Sequence, residues 1–157
     1  MAATWTDRLD ELGIALPDVV PPVASYTPAV RTGNLVYTSG QLPIVDGELS
    51  VHGKVHDGAE GVVRPDEATA AARACALNAL AAVHALVGID SVVRIVKVVG
   101  FVASAPGFTG QPKVINGASD LLGEIFGDAG VHARSAVGVA ELPLGAPVEV
   151  ELIVEVA

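Results

Sequence analysis

Cysteine occurs once in this 157-residue chain, at Cys75, so no disulfide can form within it and folding must rest on the core. Its setting among alanines and leucines marks Cys75 as a small buried apolar residue. Aromatic residues are almost as scarce at 4%, while the apolar share is 51%, so that core must be aliphatic. A chain of about 150 residues buries roughly 68–70% of its unfolded surface, and one domain over residues 1–157 is the simplest organisation. Positive charge is short, with 9 Lys+Arg against 18 Asp+Glu and a formal net charge of −9. Phosphate backbones need a clustered positive potential, which argues against a nucleic-acid partner but leaves room for a small anion on one arginine. His52, His56, His84 and His132 lack metal-ligand spacing, and neither a CxxC pair nor an HExxH is present. Phosphate-loop, dinucleotide and serine-elbow fingerprints are missing too. No basic stretch followed by an apolar run opens the sequence, and no unbroken run approaches the roughly 20 apolar residues of a membrane span. The expectation is a soluble, cytoplasmic chain without a membrane partner.

What is present reads as alternating elements. Trp5, Leu9 and Leu12 recur at helical spacing, which predicts a short N-terminal helix within residues 4–13 capped by Thr6 or Asp7. Four prolines keep residues 17–28 extended or irregular. Arg31-Thr32-Gly33-Asn34 has hairpin-turn chemistry before a strand at Leu35-Val36-Tyr37-Thr38-Ser39, and Asp46-Gly47 makes a second turn. The connection 46–64 carries little structural signal beyond a short strand at Glu48-Leu49-Ser50. Residues 65–88 are the clearest helix, opened by Pro65, Asp66 and Glu67, with Leu77, Leu80, His84 and Val87 as its packing stripe. Residues 92–104 form a β-branched strand. A second helix starts at Pro112 and ends at Gly127, with Val114, Leu121 or Leu122, and Ile125 as its stripe; Gly117 weakens it by roughly 1 kcal/mol against alanine. Strands at 134–140 and 147–156 close the chain. The order ββ(β)αβαββ is economically packed as one mixed sheet with two main helices on one face, an α+β fold.

The last strand poses a question. Val148, Val150, Leu152, Val154 and Val156 alternate with Glu149, Glu151, Ile153 and Glu155, so one face is apolar and the other mainly carboxylate. Plain solvent exposure does not account for Ile153 or for the neighbouring Ala136 and Gly138. That second face suits a subunit or a ligand, and the period does not choose between them.

From Tyr26 to its C-terminus the chain resembles the YjgF/RidA family of imine and enamine deaminases, also known as L-PSP endoribonucleases. The resemblance is carried by LVYTSGQLP at 35–43, CALNALAAV in the first long helix, VVRIVKVVGFVAS, Asn116, HARSAVGVAELP and PVEVELIVEV, in that order and spacing. It implies a chorismate-mutase-like fold, a homotrimer whose sheets form a central barrel, and sites in the clefts between subunits. The N-terminal helix and the 46–64 connection mark a longer, divergent subgroup.

The resemblance assigns roles residue by residue. Arg134 matches the arginine that binds the substrate carboxylate, a task its planar fork suits; the alternative is a salt bridge within the sheet. Glu149 matches the acid that orients water and moves protons. Glu151 shares its face, so periodicity leaves the two open, and the PVEVE pattern favours Glu149. Tyr26 corresponds to the tyrosine that closes the pocket, or is a loop anchor. Asn116 is a pocket residue or a helix-surface one. Ser39 and Gly40 supply tight backbone beside the site. Ala136 stands where many members have cysteine, its main chain contacting the nitrogen, and residues 107–113 depart from the usual linker. The implied reaction is hydrolysis of small carboxylate-bearing 2-imino or enamine acids to 2-keto acids and ammonia. It needs no cofactor, because the imine is already electrophilic, and pyridoxal-phosphate enzymes are the metabolic partners. A non-catalytic carboxylate- or protein-binding module on the same scaffold is the main alternative, and a ribonuclease the weaker one.

Overall fold

The computed structural model describes residues 2–58 and 62–157. Helix α1 (Trp5–Leu12) begins at Thr4, whose hydroxyl accepts the Asp7 N–H while the Asp7 carboxylate accepts the Thr4 N–H. The cap is therefore Thr4 rather than Thr6 or Asp7, because Asp7 sits at the position that reciprocates it. Strands β1 (Ala29–Thr32) and β2 (Leu35–Thr38) form a hairpin around Gly33, and β3 (Ile44–Val45) and β4 (Glu48–Leu49) form a smaller one. Asp46 and Gly47 both have positive φ, 53° and 85°, as a two-residue hairpin turn of right-handed twist demands.

The long connection is tied down more firmly than its composition suggests. Val55 bridges Val63 and Ser104, and both valines are buried. Residues 59–61 of that connection lie outside the described residues.

Helices α2 (Pro65–Val87) and α3 (Gln111–Phe126) cover one face of a five-stranded sheet ordered β1-β2-β7-β5-β6, completed by β5 (Val92–Ala103), β6 (Ala133–Val139) and β7 (Val148–Val156). Among the described strands of this sheet only β5 and β6 pair in parallel, with α3 in the connection between them. α2 is long and apolar enough to cross a membrane, with a mean hydropathy of 1.5, but most of that stretch is buried within the fold.

The core lies between the helices and the valine face of β7. Val148, Val150, Leu152, Val154 and Val156 are all buried, and a side chain such as Leu152 stabilises the fold by about 1.5–3 kcal/mol. The α2 stripe differs from the sequence expectation. Leu80 is buried, Leu77 and Val87 are half-buried and His84 is exposed. The buried face is instead Ala68, Ala72, Cys75, Ala76, Ala79 and Val83, small side chains that let the helix lie close to the sheet. Cys75 is fully buried, and burial raises its thiol pKa well above the ordinary range.

Gly117 also changes meaning. A Cβ there would run into the Thr69 carbonyl, so the glycine permits the α2–α3 contact at the cost of helix propensity.

The other face of the sheet is uncovered in the single chain. Cross-strand rows place Val30, Tyr37, Ile153, Lys97 and Ala133 together, then Glu151, Val99 and Ser135, then Glu149, Phe101 and Val137. Val30, Tyr37 and Val137 on this face are exposed.

Candidate functional site

Strand β6 is an edge strand, and its alternation sends Arg134 to the helix side, level with the buried Val98 and Leu152. There the guanidinium reaches α3. Nη1 donates to Asn116 Oδ1 at 2.7 Å and to Ser119 Oγ at 3.2 Å, and Nη2 donates to the Pro112 carbonyl at 3.1 Å. Asn116 and Ser119 are three apart and so share one face of α3. All three acceptors are neutral. Among the described residues Arg134 forms no salt bridge, so its charge is held in place without being neutralised. Its Nε–H donates to no described residue and Nη2 makes a single bond, so the guanidinium keeps unused donors on Nε and Nη2.

Two residues along β6, Ala136 lies beside Gly100, and it packs partly buried against the core. Gly100 has no room for a Cβ because Ile115 of α3 sits on it. The floor next to Arg134 is thus made of the smallest side chains available.

Glu149 occupies the opposite face. It pairs across the sheet with Phe101, whereas its neighbours Val148 and Val150 point into the core. Gly40 stands over it: a Cβ at Gly40 would come within 2.7 Å of the Glu149 Cδ and Oε1. Gly40 is held there by its neighbours. The Ser39 hydroxyl donates to the Thr27 carbonyl at 2.6 Å, and Gln41 and Val150 exchange backbone hydrogen bonds at 2.8 and 3.0 Å. Burial first, and then the nearby Glu151 carboxylate, raise the Glu149 pKa above the ordinary glutamate range. Glu151 sits on the same face beside Val99.

Tyr26 belongs to this second cluster. It borders a small recess shared with Pro28, Gly40, Gln41 and Leu42, and its hydroxyl accepts the Val23 N–H at 3.4 Å. The residue is 46% exposed.

The seven residues singled out in the sequence therefore fall into two groups. Arg134, Asn116 and Ala136 lie on the helix side of the edge strand, whereas Glu149, Gly40, Ser39 and Tyr26 lie around the end of β2 and the open face. Within one chain the structure does not bring Glu149 or Tyr26 to Arg134. Ser119 and His132 were missed. The only trace of them in the sequence is the three-residue spacing from Asn116 to Ser119 and the closeness of His132 to Arg134. No cluster of three metal-ligating side chains occurs among the described residues.

Residues 17–156 match the family described as endoribonuclease L-PSP. The chain belongs to this YjgF/RidA family. Among YjgF/RidA relatives, Protein TCP17 of Trypanosoma cruzi is 47% identical over 150 residues, covering 94% of this chain and 91% of that protein. A 2-iminobutanoate/2-iminopropanoate deaminase of Dermatophagoides farinae is 32% identical over 142 residues, covering 90% and 93%. A crystal structure of a protein of unknown function from Agrobacterium tumefaciens superposes with a TM-score of 0.86 at 43% identity, covering 98% of this chain and 92% of that one. Helix α1 precedes the YjgF/RidA match, yet the Agrobacterium superposition takes in nearly the whole chain. The family settles the α+β fold read from the sequence.

Proposed function

We propose that this chain hydrolyses small 2-imino and enamine acids to 2-keto acids and ammonia, at sites completed between copies of a homotrimer. Arg134 carries the reading. Its positive charge is fixed by three neutral acceptors and met by no described carboxylate, while Nε–H and a second Nη2 proton remain for an anion. Charge-assisted bonds to a carboxylate are what those donors are suited to make. The relative named as a deaminase supports the choice of substrate.

In this mechanism Arg134 holds the substrate carboxylate and Glu149 of an adjacent copy handles protons. Water adds to C2 of the protonated imine, the C=N π electrons pass to nitrogen to leave a neutral amine, and Glu149 accepts the proton that the water loses. Glu149 returns that proton to the carbinolamine nitrogen. The C–N bond then breaks with its electron pair on nitrogen, the hydroxyl becomes the keto oxygen, and its proton departs with ammonia as ammonium. A half-buried carboxylate with a raised pKa suits both directions of transfer, since a proton relay works best near the operating pH. The opposed positions of Arg134 and Glu149 support a composite site, because two copies can supply what one chain keeps apart.

The test is direct. With 2-iminopropanoate generated continuously by an upstream enzyme, purified protein should remove it faster than spontaneous hydrolysis does. Tight binding of 2-oxobutanoate with no acceleration would instead favour a carboxylate-binding module. The family's ribonuclease description finds little support in a chain of net charge −9 whose open face carries Glu149, Glu151 and Glu155.

A further inference from the structure

The bonds around Arg134 continue past it. Ser119 Oγ, which accepts from Nη1, lies 2.9 Å from His132 Nε2, and His132 Nδ1 lies 2.6 Å from the Gly130 carbonyl. Donor and acceptor chemistry gives this chain one direction. A carbonyl only accepts, so Nδ1 carries a proton, and in the neutral imidazole Nε2 presents its lone pair. Arginine has no acceptor atom, so the Ser119 hydroxyl keeps its oxygen toward Nη1 and sends its proton to Nε2. The sequence of donations is Arg134 to Ser119 to His132 to Gly130.

The far end is anchored. Gly130 is buried, and a Cβ there would meet the Leu122 carbonyl, so its backbone is seated on α3. Ser119 and His132 are half-buried, and each has both its polar ends engaged.

We infer that Ser119 and His132 are positioning residues for the carboxylate site: Ser119 holds Nη1 of the Arg134 guanidinium, His132 fixes the Ser119 hydroxyl, and together they bias the Nε side of the fork toward the ligand. The inference rests on Arg134 being the carboxylate-binding group of the proposed deaminase. Neither residue touches the substrate. Without the Ser119 oxygen, Nη1 keeps only Asn116 and Nη2 only the Pro112 carbonyl, so the fork is held by two bonds instead of three and turns more easily about the Cδ–Nε bond. Misorientation of this kind weakens a two-pronged contact without removing the charge.

Calorimetric titration with 2-oxobutanoate tests this on the full-length protein, beside the imine-hydrolysis assay. Ser119→Ala and His132→Ala should weaken 2-oxobutanoate binding about three- to tenfold, the scale of losing one hydrogen bond that acts on the ligand only through Arg134. KM for 2-iminopropanoate should rise by the same factor with kcat unchanged, and Ser119→Thr, which restores a hydroxyl, should return both to within about twofold of wild type. Should an alanine variant not fold, the wild-type protein decides: the imidazole nitrogen resonances of His132 should shift saturably as 2-oxobutanoate binds. Affinities equal in wild type and Ser119→Ala, or a His132 signal unmoved at saturation, overturn the positioning role while leaving deamination intact. Wild-type protein that binds 2-oxobutanoate but accelerates no hydrolysis removes the deaminase and leaves the positioning role standing. Absence of any carboxylate binding overturns both.

Discussion

At the scale of single residues, the shape of a charge matters as much as its sign. Arg134→Lys keeps one positive charge but loses the fork and most of its hold on Asn116, Ser119 and Pro112. We expect kcat/KM for carboxylate-bearing imines to fall about tenfold or more, with the fold unchanged by circular dichroism. Glu149→Gln should cost about 10²–10⁴ in the chemical step, and Glu151→Gln far less, in the same imine assay. The reverse ranking would move the proton relay to Glu151. Stability should move the other way at Glu149. With its pKa raised, the folded chain retains a proton that the unfolded chain has released, so stability falls as pH climbs from the ordinary glutamate range through the raised value. Thermal melts of Glu149→Gln at neutral pH should therefore lie above wild type, and the gap should close below about pH 4, where glutamate is protonated in both states. Arg134 and Glu149 were legible because guanidinium and carboxylate chemistry is scarce in an aliphatic strand and their spacing fits a known pattern. Ser119 and His132 were not, since only the fold places a helix serine against a histidine 13 residues later.

At the scale of elements, periodicity located the helices and strands but misjudged which side chains face inward. α2 was read by its large residues, whereas its buried face is mostly alanine, because the sheet already supplies the bulk. Close packing leaves room there for methyl groups rather than isobutyl ones. The same closeness decides Gly117. Propensity alone predicts that Gly117→Ala stabilises α3 by roughly 1 kcal/mol. The Thr69 carbonyl leaves no space for the added methyl, so we expect a net loss of about 1–3 kcal/mol in urea unfolding. A stabilised variant would show that the two helices slide apart at little cost. The N-terminal helix was legible from Trp5, Leu9 and Leu12, but its attachment was not. Trp5 Nε1 donates to the Val92 carbonyl at 2.8 Å, its ring meets Phe126 edge-on at 4.9 Å, and Arg8 donates to the Glu124 carbonyl. All of these partners are more than 80 residues away, beyond the reach of any local pattern.

At the scale of the whole molecule, the open sheet face is the dominant unsatisfied feature. Val30, Tyr37 and Val137 stand exposed among Glu149, Glu151 and Lys97, and the mixed pattern of the last strand is the mark of such a face in the sequence. Light scattering at micromolar concentration should give about three times the chain mass, in keeping with closed cyclic assembly. A monomer there would remove the composite site with it. The sequence alone did not distinguish a subunit from a ligand on that face, since either buries the same side chains. One consequence follows from Arg134 and Glu149 lying on opposite sides of the same sheet. In the proposed closed ring of three, each reaction centre would draw its arginine from one copy and its glutamate from the next, so damage at the two positions would belong to different halves of every centre. Unfolding and refolding Arg134→Lys together with Glu149→Gln would give mixed rings in which one junction brings two undamaged halves together. Equal mixing should recover about a quarter of the wild-type centres from two disabled proteins, the signature of complementation between defective alleles.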